Sequence, residues 1–92
     1  MSQEYATALR EWQRLPQQGY ALAQTYIGVM YADGRGVPQN DAEAVKWFQK
    51  AAVQGEALAQ TSLGVMYEQG RGITQDLVAA QFWFAPDDSG EV

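Results

Sequence analysis

The apolar residues of the chain recur at helical spacing and predict a series of short helices. Apolar side chains at i, i+3, i+4 and i+7 lie on one face of a helix, and this spacing recurs along most of the sequence. The predicted helices span residues 3–15, 20–33 and 41–53, the pattern of 20–33 then returns, and a last helix begins at Leu77. Pro16 ends the first helix, because proline cannot continue a helix interior.

The sequence repeats itself with a period of 36 residues. Residues 18–48 align with residues 54–84: both copies read Gln-Gly-x-Ala-Leu-Ala-Gln-Thr at the start, Gly-Arg-Gly in the middle and Trp-Phe at the end. Self-similarity at a period of about 20–50 residues indicates stacked supersecondary units. The chain is therefore predicted to be all-α, a solenoid of about two and a half helix-turn-helix repeats. Residues 3–15 are in phase and would form the second helix of an incomplete leading repeat.

Glycines mark the predicted turns and one predicted helix contact. Gly19 and Gly34 are expected to end helices in the left-handed conformation, and Gly36 helps to reverse the chain. Gly28 and Gly64 lie in mid-helix, where glycine costs about 0.5–1 kcal/mol relative to alanine. Because this cost occurs at the same place in both repeats, we expect a neighbouring helix to approach closely there.

Polar residues at the turns have predictable structural roles. Asn40 and Asp76 precede new helices, where their side-chain oxygens would accept from unpaired backbone N–H groups. Gly-Arg-Gly could suggest a phosphate-binding turn, but that motif follows a strand and needs further glycines, whereas a helix precedes it here. Arg35 and Arg71 are accordingly expected to be solvated.

Composition excludes several classes of function. The 92 residues suffice for one domain, and they include neither cysteine nor histidine. Disulfides, thiolate chemistry and the commonest general base and metal ligand are thus absent. A net charge of −5 argues against binding to nucleic acid. No run of residues has the length and apolarity of a membrane span, and we expect no membrane insertion, cofactor or metal. Without a visible signal peptide, the cytoplasm is the default compartment; a periplasmic or secreted protein whose leader had been removed would look the same.

The repeat resembles the Sel1-like repeats, short α/α relatives of tetratricopeptide repeats. The resemblance implies a right-handed α/α superhelix spanning residues 1–85, with a lead-in helix at 3–15, repeat one at 19–53, repeat two at 55–85 and an acidic tail at 86–92. It also implies an adaptor or scaffold without chemistry of its own. The matching positions are Gly28, Tyr31, Gly34, Gly36, Ala44 and Trp47 in repeat one, and Gly64, Tyr67, Gly70, Gly72, Ala80 and Trp83 in repeat two.

Two functions remain open at this stage, and catalysis is disfavoured because no motif supplies an activated nucleophile. The favoured function is binding of a protein or peptide on the concave face, which the resemblance assigns to the first helix of each repeat. The alternative is weak self-association through an exposed apolar end near Trp83 and Phe84. The concave-face residues are predicted to be Leu22, Thr25, Tyr26, Val29, Ala32 and Asp33, with Leu58, Thr61, Ser62, Val65, Glu68 and Gln69 in repeat two.

Overall fold

The computed structural model describes residues 17–84, which form four helices and no strand. The helices are α1 (Gln17–Asp33), α2 (Asp41–Ala52), α3 (Ala57–Gln69) and α4 (Leu77–Phe84). The prediction of an all-α helical-repeat fold is confirmed. The predicted lead-in helix at 3–15 and the acidic tail at 86–92 lie outside the described residues and stay predictions, as does the repeat count.

The start of α1 differs from the prediction. Gly19 was expected to end a preceding helix with a positive φ, but it lies inside the first turn of α1 and is not left-handed. Its counterpart Gly55 does have a positive φ, +91°. The difference follows from the next residue: Glu56 accepts from the backbone N–H groups of Leu58 and Ala59 and fixes the start of α3. Tyr20, at the equivalent position, has no carboxylate to do this.

The turn within each repeat is built in the same way in both copies. Gly34 and Gly70 follow the first helix with φ of +72° and +67°. The N–H of Arg35 then donates to the Met30 carbonyl at 2.9 Å, and the N–H of Arg71 donates to the Met66 carbonyl at 3.0 Å. This 6→1 bond, formed around a left-handed glycine, is the Schellman arrangement, and it satisfies carbonyls that the helix leaves unpaired.

The predicted N-caps of the second helices are confirmed. The Asn40 side chain accepts from the Glu43 N–H at 3.1 Å, and the Asp76 side chain accepts from the Ala79 N–H at 3.0 Å. Each therefore pairs one of the donors that a helix start leaves free. The caps set the first residues of α2 and α4 and hence the register of both helices against their partners.

The core lies between consecutive helices. Helix α1 packs on α2, α2 on α3 and α3 on α4, while α1 and α3 touch at fewer points. Ile27 and Leu63 occupy equivalent fully buried positions, and alanines at 44, 51 and 59 allow close approach of the backbones. Trp47 is only half-buried, with Lys50 over its ring at 4.5 Å. Trp47 is therefore not part of the closed core.

The mid-helix glycines mark close helix contacts, as predicted. A Cβ placed on Gly28 would lie 2.6 Å from the ring of Phe48, and one on Gly64 would lie 2.6 Å from the ring of Phe84. In each repeat, a phenylalanine of the second helix thus lies against the glycine of the first. Real Cβ atoms do not approach a ring so closely, so these two positions favour glycine for steric reasons.

Candidate functional site

Helices α1 and α3 each carry a row of exposed or partly exposed side chains, of which Val29 also packs against the core. On α1 the row is Leu22, Tyr26, Val29 and Asp33, spaced i, i+4, i+7 and i+11, which keeps it on one side of the helix. Tyr26 is the most exposed of its apolar members, with 47% of its surface accessible. The equivalent row of α3 consists of Leu58, Ser62, Val65 and Gln69.

A groove of about 210 Å³ lies between the two rows. Val29 and Val65 contribute one residue from each row, and Phe48 and Met66 contribute apolar surface from the core. Asp33 and Arg71 bring charge, so the groove is apolar inside and ionic at its edge. The remaining lining residues are Ala32, Thr61 and Ser62.

A second hollow, of about 330 Å³, borders the α1 row at Leu22. It is formed by Ala21 and Leu22 together with the α2–α3 connection, residues 54–57. Glu56 is the only charged residue in its lining. The two hollows therefore lie near opposite ends of the α1 row.

The prediction that Thr25 is exposed on this face is wrong. Thr25 is fully buried, and its hydroxyl donates to Glu56 Oε1 at 2.5 Å, with the Ala21 carbonyl 3.0 Å away as an alternative acceptor. Glu56 is the N-cap of α3, so the bond ties repeat one to the start of repeat two. A second bond across the same junction runs from Gln54 Nε2 to Gln24 Oε1 at 2.7 Å.

The prediction that both turn arginines are solvated is correct for one of them only. Arg35 is exposed and only approaches Asp33, at 3.6 Å. Arg71 instead reaches back to repeat one and donates to both carboxylate oxygens of Asp41, at 2.9 and 3.4 Å. Next to it, Gly72 lies directly against the Asp41 carbonyl, which leaves no room for a Cβ. The turn of repeat two therefore rests on the start of α2.

The described part of the chain lacks two features, a cluster of carboxylates and a long apolar helix. Residues 17–84 contain no group of three or more carboxylates placed to hold a metal ion. Within the same residues, none of the helices has the length and apolarity needed to cross a bilayer. The site is thus described by its shape, its apolar lining and its edge charges.

The repeat pattern matches a known family model over most of the chain. The Sel1 repeat model matches residues 21–56 and again residues 57–85. The chain belongs to the Sel1 repeat family. Sel1 repeat proteins are generally protein-interaction scaffolds, and the Sel1 fold is typically non-catalytic. No curated protein matches the chain.

Two solved structures share the fold of this Sel1 repeat chain. One is c5321, a protective antigen present in uropathogenic Escherichia coli strains that displays an SLR fold: it is 42% identical with a TM-score of 0.73, over 79% of this chain and 16% of that one. The other is a Sel1 repeat protein from Oxalobacter formigenes, 40% identical with a TM-score of 0.72, over 76% of this chain and 53% of that one. The chain thus spans only part of the length of both proteins.

Proposed function

We propose that the chain is a protein- or peptide-binding scaffold that uses the face formed by the α1 and α3 rows. The observation that carries this proposal is the exposure of large apolar side chains on this face: Leu22, Tyr26 and Leu58 are each more than a third accessible. Tyrosine is enriched among the residues that dominate binding energy at protein interfaces. The groove between the rows gives such a face a shape that a partner can recognise.

The size of the groove favours a peptide side chain over a free small molecule. Pockets for drug-sized ligands enclose about 300–1,000 Å³, and this groove is smaller, at about 210 Å³. One large side chain of a partner would fill it, while neighbouring residues of the partner would contact Tyr26 and Leu58. We therefore place the partner's anchor residue between Val29 and Val65.

A capture experiment with two double variants tests this function. Tyr26→Ala with Val29→Ala alters the proposed face, and Lys46→Ala with Val53→Ala removes comparable side chains from exposed positions on and next to α2. Proteins captured by the wild type and the control, but not by the face variant, are candidate partners. Calorimetry with a purified candidate should then show about tenfold weaker binding by the face variant only. Equal affinity of both variants would show that binding occurs elsewhere.

Self-association is a second candidate, favoured by one feature of α4. Of the predicted pair, Trp83 packs on the core, whereas Phe84 lies against Gly64 but is still 37% accessible. More exposed apolar side chains of α4 are Leu77, Val78 and Phe82, at 61%, 82% and 59% accessibility. The equivalent positions of α2 hold Asp41, Ala42 and Lys46.

This apolar row of α4 suits a second copy of the chain, because an uncharged row is self-complementary in an antiparallel pair. The double variant Leu77→Asp with Phe82→Lys gives α4 the residues found at the equivalent positions of α2, and we expect it to be monomeric. Sedimentation at high micromolar concentration compares the two proteins. A wild-type monomer under these conditions would exclude self-association.

A further inference from the structure

The groove between α1 and α3 has an acidic edge, and this edge specifies the chemistry of its ligand. We propose that the groove takes a large apolar side chain with a lysine or arginine next to it in the partner, and that Asp33 pairs with that cation. The inference rests on the function proposed above and narrows it to basic, apolar peptide segments. The inference is based on the charged residues that line the two hollows and on the partner that each charged residue already has.

The positive charge at the groove is already matched. Arg71 is a bidentate donor to Asp41. The Arg71 side chain is 38% accessible and the Asp41 side chain 27%, so the guanidinium is held in place by repeat one. A fork of this kind fixes a carboxylate strongly and in one geometry. An acidic peptide at Arg71 would lie beside the Asp41 carboxylate, which already balances the charge of the guanidinium, and we therefore expect acidic peptides to be disfavoured.

The negative charge at the groove is more available. The Asp33 side chain is 48% accessible. The nearest cation is Arg35, whose Nε lies a long 3.6 Å from Asp33 Oδ2 and whose side chain is 73% accessible. Exposed pairs of this kind contribute little, about 0–1 kcal/mol, so a partner's cation can replace Arg35 at small cost. Asp33 can thus serve as the acceptor of the site.

The second hollow has the same sign of charge. Glu56 is the only ionisable residue in its lining, and its carboxylate already accepts from Thr25 and from the N–H groups of Leu58 and Ala59, so it contributes negative charge rather than a free acceptor. The lysines of the described residues, Lys46 and Lys50, lie on α2 instead, where Lys46 approaches Glu43 and Lys50 covers Trp47. The described residues 17–84 hold six carboxylates against four lysines and arginines, a net charge of −2, which favours a basic segment over an acidic one.

Three synthetic peptides provide the probe. Each is a short, terminally blocked Gly/Ser peptide with one central leucine, flanked on both sides by lysine, glutamine or glutamate. Binding is followed by amide chemical shifts of the labelled protein at low salt. The lysine peptide should shift residues around Val29 and Val65 and bind about two- to fivefold more tightly than the glutamine peptide, as one exposed ion pair allows. The glutamate peptide should bind most weakly.

Two substitutions, each of which removes one negative charge, distinguish the effect of Asp33 from the effect of the overall charge. Asp33→Asn should remove the preference for lysine, and Glu43→Gln, on α2 and outside the groove lining, should keep it. If the leucine peptides shift groove residues equally whatever their flanks, peptide binding stands and the basic-segment inference is overturned. A preference that survives in Asp33→Asn also overturns it. If no peptide shifts groove residues, both the inference and the proposed groove fail.

Discussion

The two mid-helix glycines allow one steric argument to be tested twice. Gly28→Ala and Gly64→Ala would each place a methyl group 2.6 Å from a phenylalanine ring. The rings differ in their freedom to move: Phe48 is only 2% accessible, whereas Phe84 is 37% accessible at the last residue of α4. The same substitution at the same distance should therefore have two different effects on stability.

The magnitudes follow from opposing contributions. Overpacking a closed core costs about 1–3 kcal/mol, while replacing a helical glycine by alanine gains about 0.5–1 kcal/mol. We expect Gly28→Ala to lower the free energy of unfolding by about 1–2 kcal/mol, since the Phe48 ring cannot move away. For Gly64→Ala, the Phe84 ring can rotate towards solvent, and the change should stay within about 0.5 kcal/mol of zero.

Urea denaturation followed by far-UV circular dichroism measures both variants against the wild type. A double variant, Gly28→Ala with Phe48→Leu, adds a control, because the smaller side chain removes the clash. Its loss should be smaller than the sum of the two single losses by about 1 kcal/mol or more. Equal losses for the two glycine variants, or additive losses in the double variant, would refute the proposed role of the rings.

Four further substitutions, one of them a control, test a helix cap and the junction between repeats, all by the same denaturation assay. Asn40→Ala removes an N-cap and should cost about 1 kcal/mol. Thr25→Val removes a buried donor from a carboxylate and should cost about 1–2 kcal/mol, whereas Thr61→Val, at the exposed equivalent, should change stability by less than about 0.5 kcal/mol. Arg71→Lys keeps the charge but loses the bidentate geometry to Asp41, so we expect a loss of about 0.5–1 kcal/mol rather than none. Equal effects of the two threonine substitutions would contradict the assigned junction.

The features that the sequence predicted are those that depend on neighbours within one repeat. The end of α1 at Asp33, the cap at Asn40 and the close approach at Gly28 all follow from local spacing and residue type, and the structure confirms them. Each is repeated 36 residues later, so two copies supported every one of these predictions.

The features that the sequence missed depend on where a repeat lies in the array. Thr25 and Thr61 are identical in the alignment, but within residues 17–84 only Thr25 is followed by a repeat that supplies an acceptor, Glu56. Arg35 and Arg71 are also identical, yet only Arg71 has the carboxylate of Asp41 in the preceding repeat within the described residues. Comparison of equivalent positions treats such pairs alike, whereas their surroundings differ. The informative signal was the non-repeating partner, Glu56 or Asp41, rather than the repeated residue.

The first residue of α2 is Asp41, whereas the equivalent first residue of α4 is Leu77. This difference limits how the array of repeats can be lengthened. A duplicate of residues 21–56 inserted after Glu56 would bring its own threonine, aspartate and glutamate, and each new turn arginine would find a carboxylate to bind. The same segment attached behind α4 would set its arginine against a leucine. Engineering of longer versions should therefore add units inside the array, where the ionic connector between units is kept.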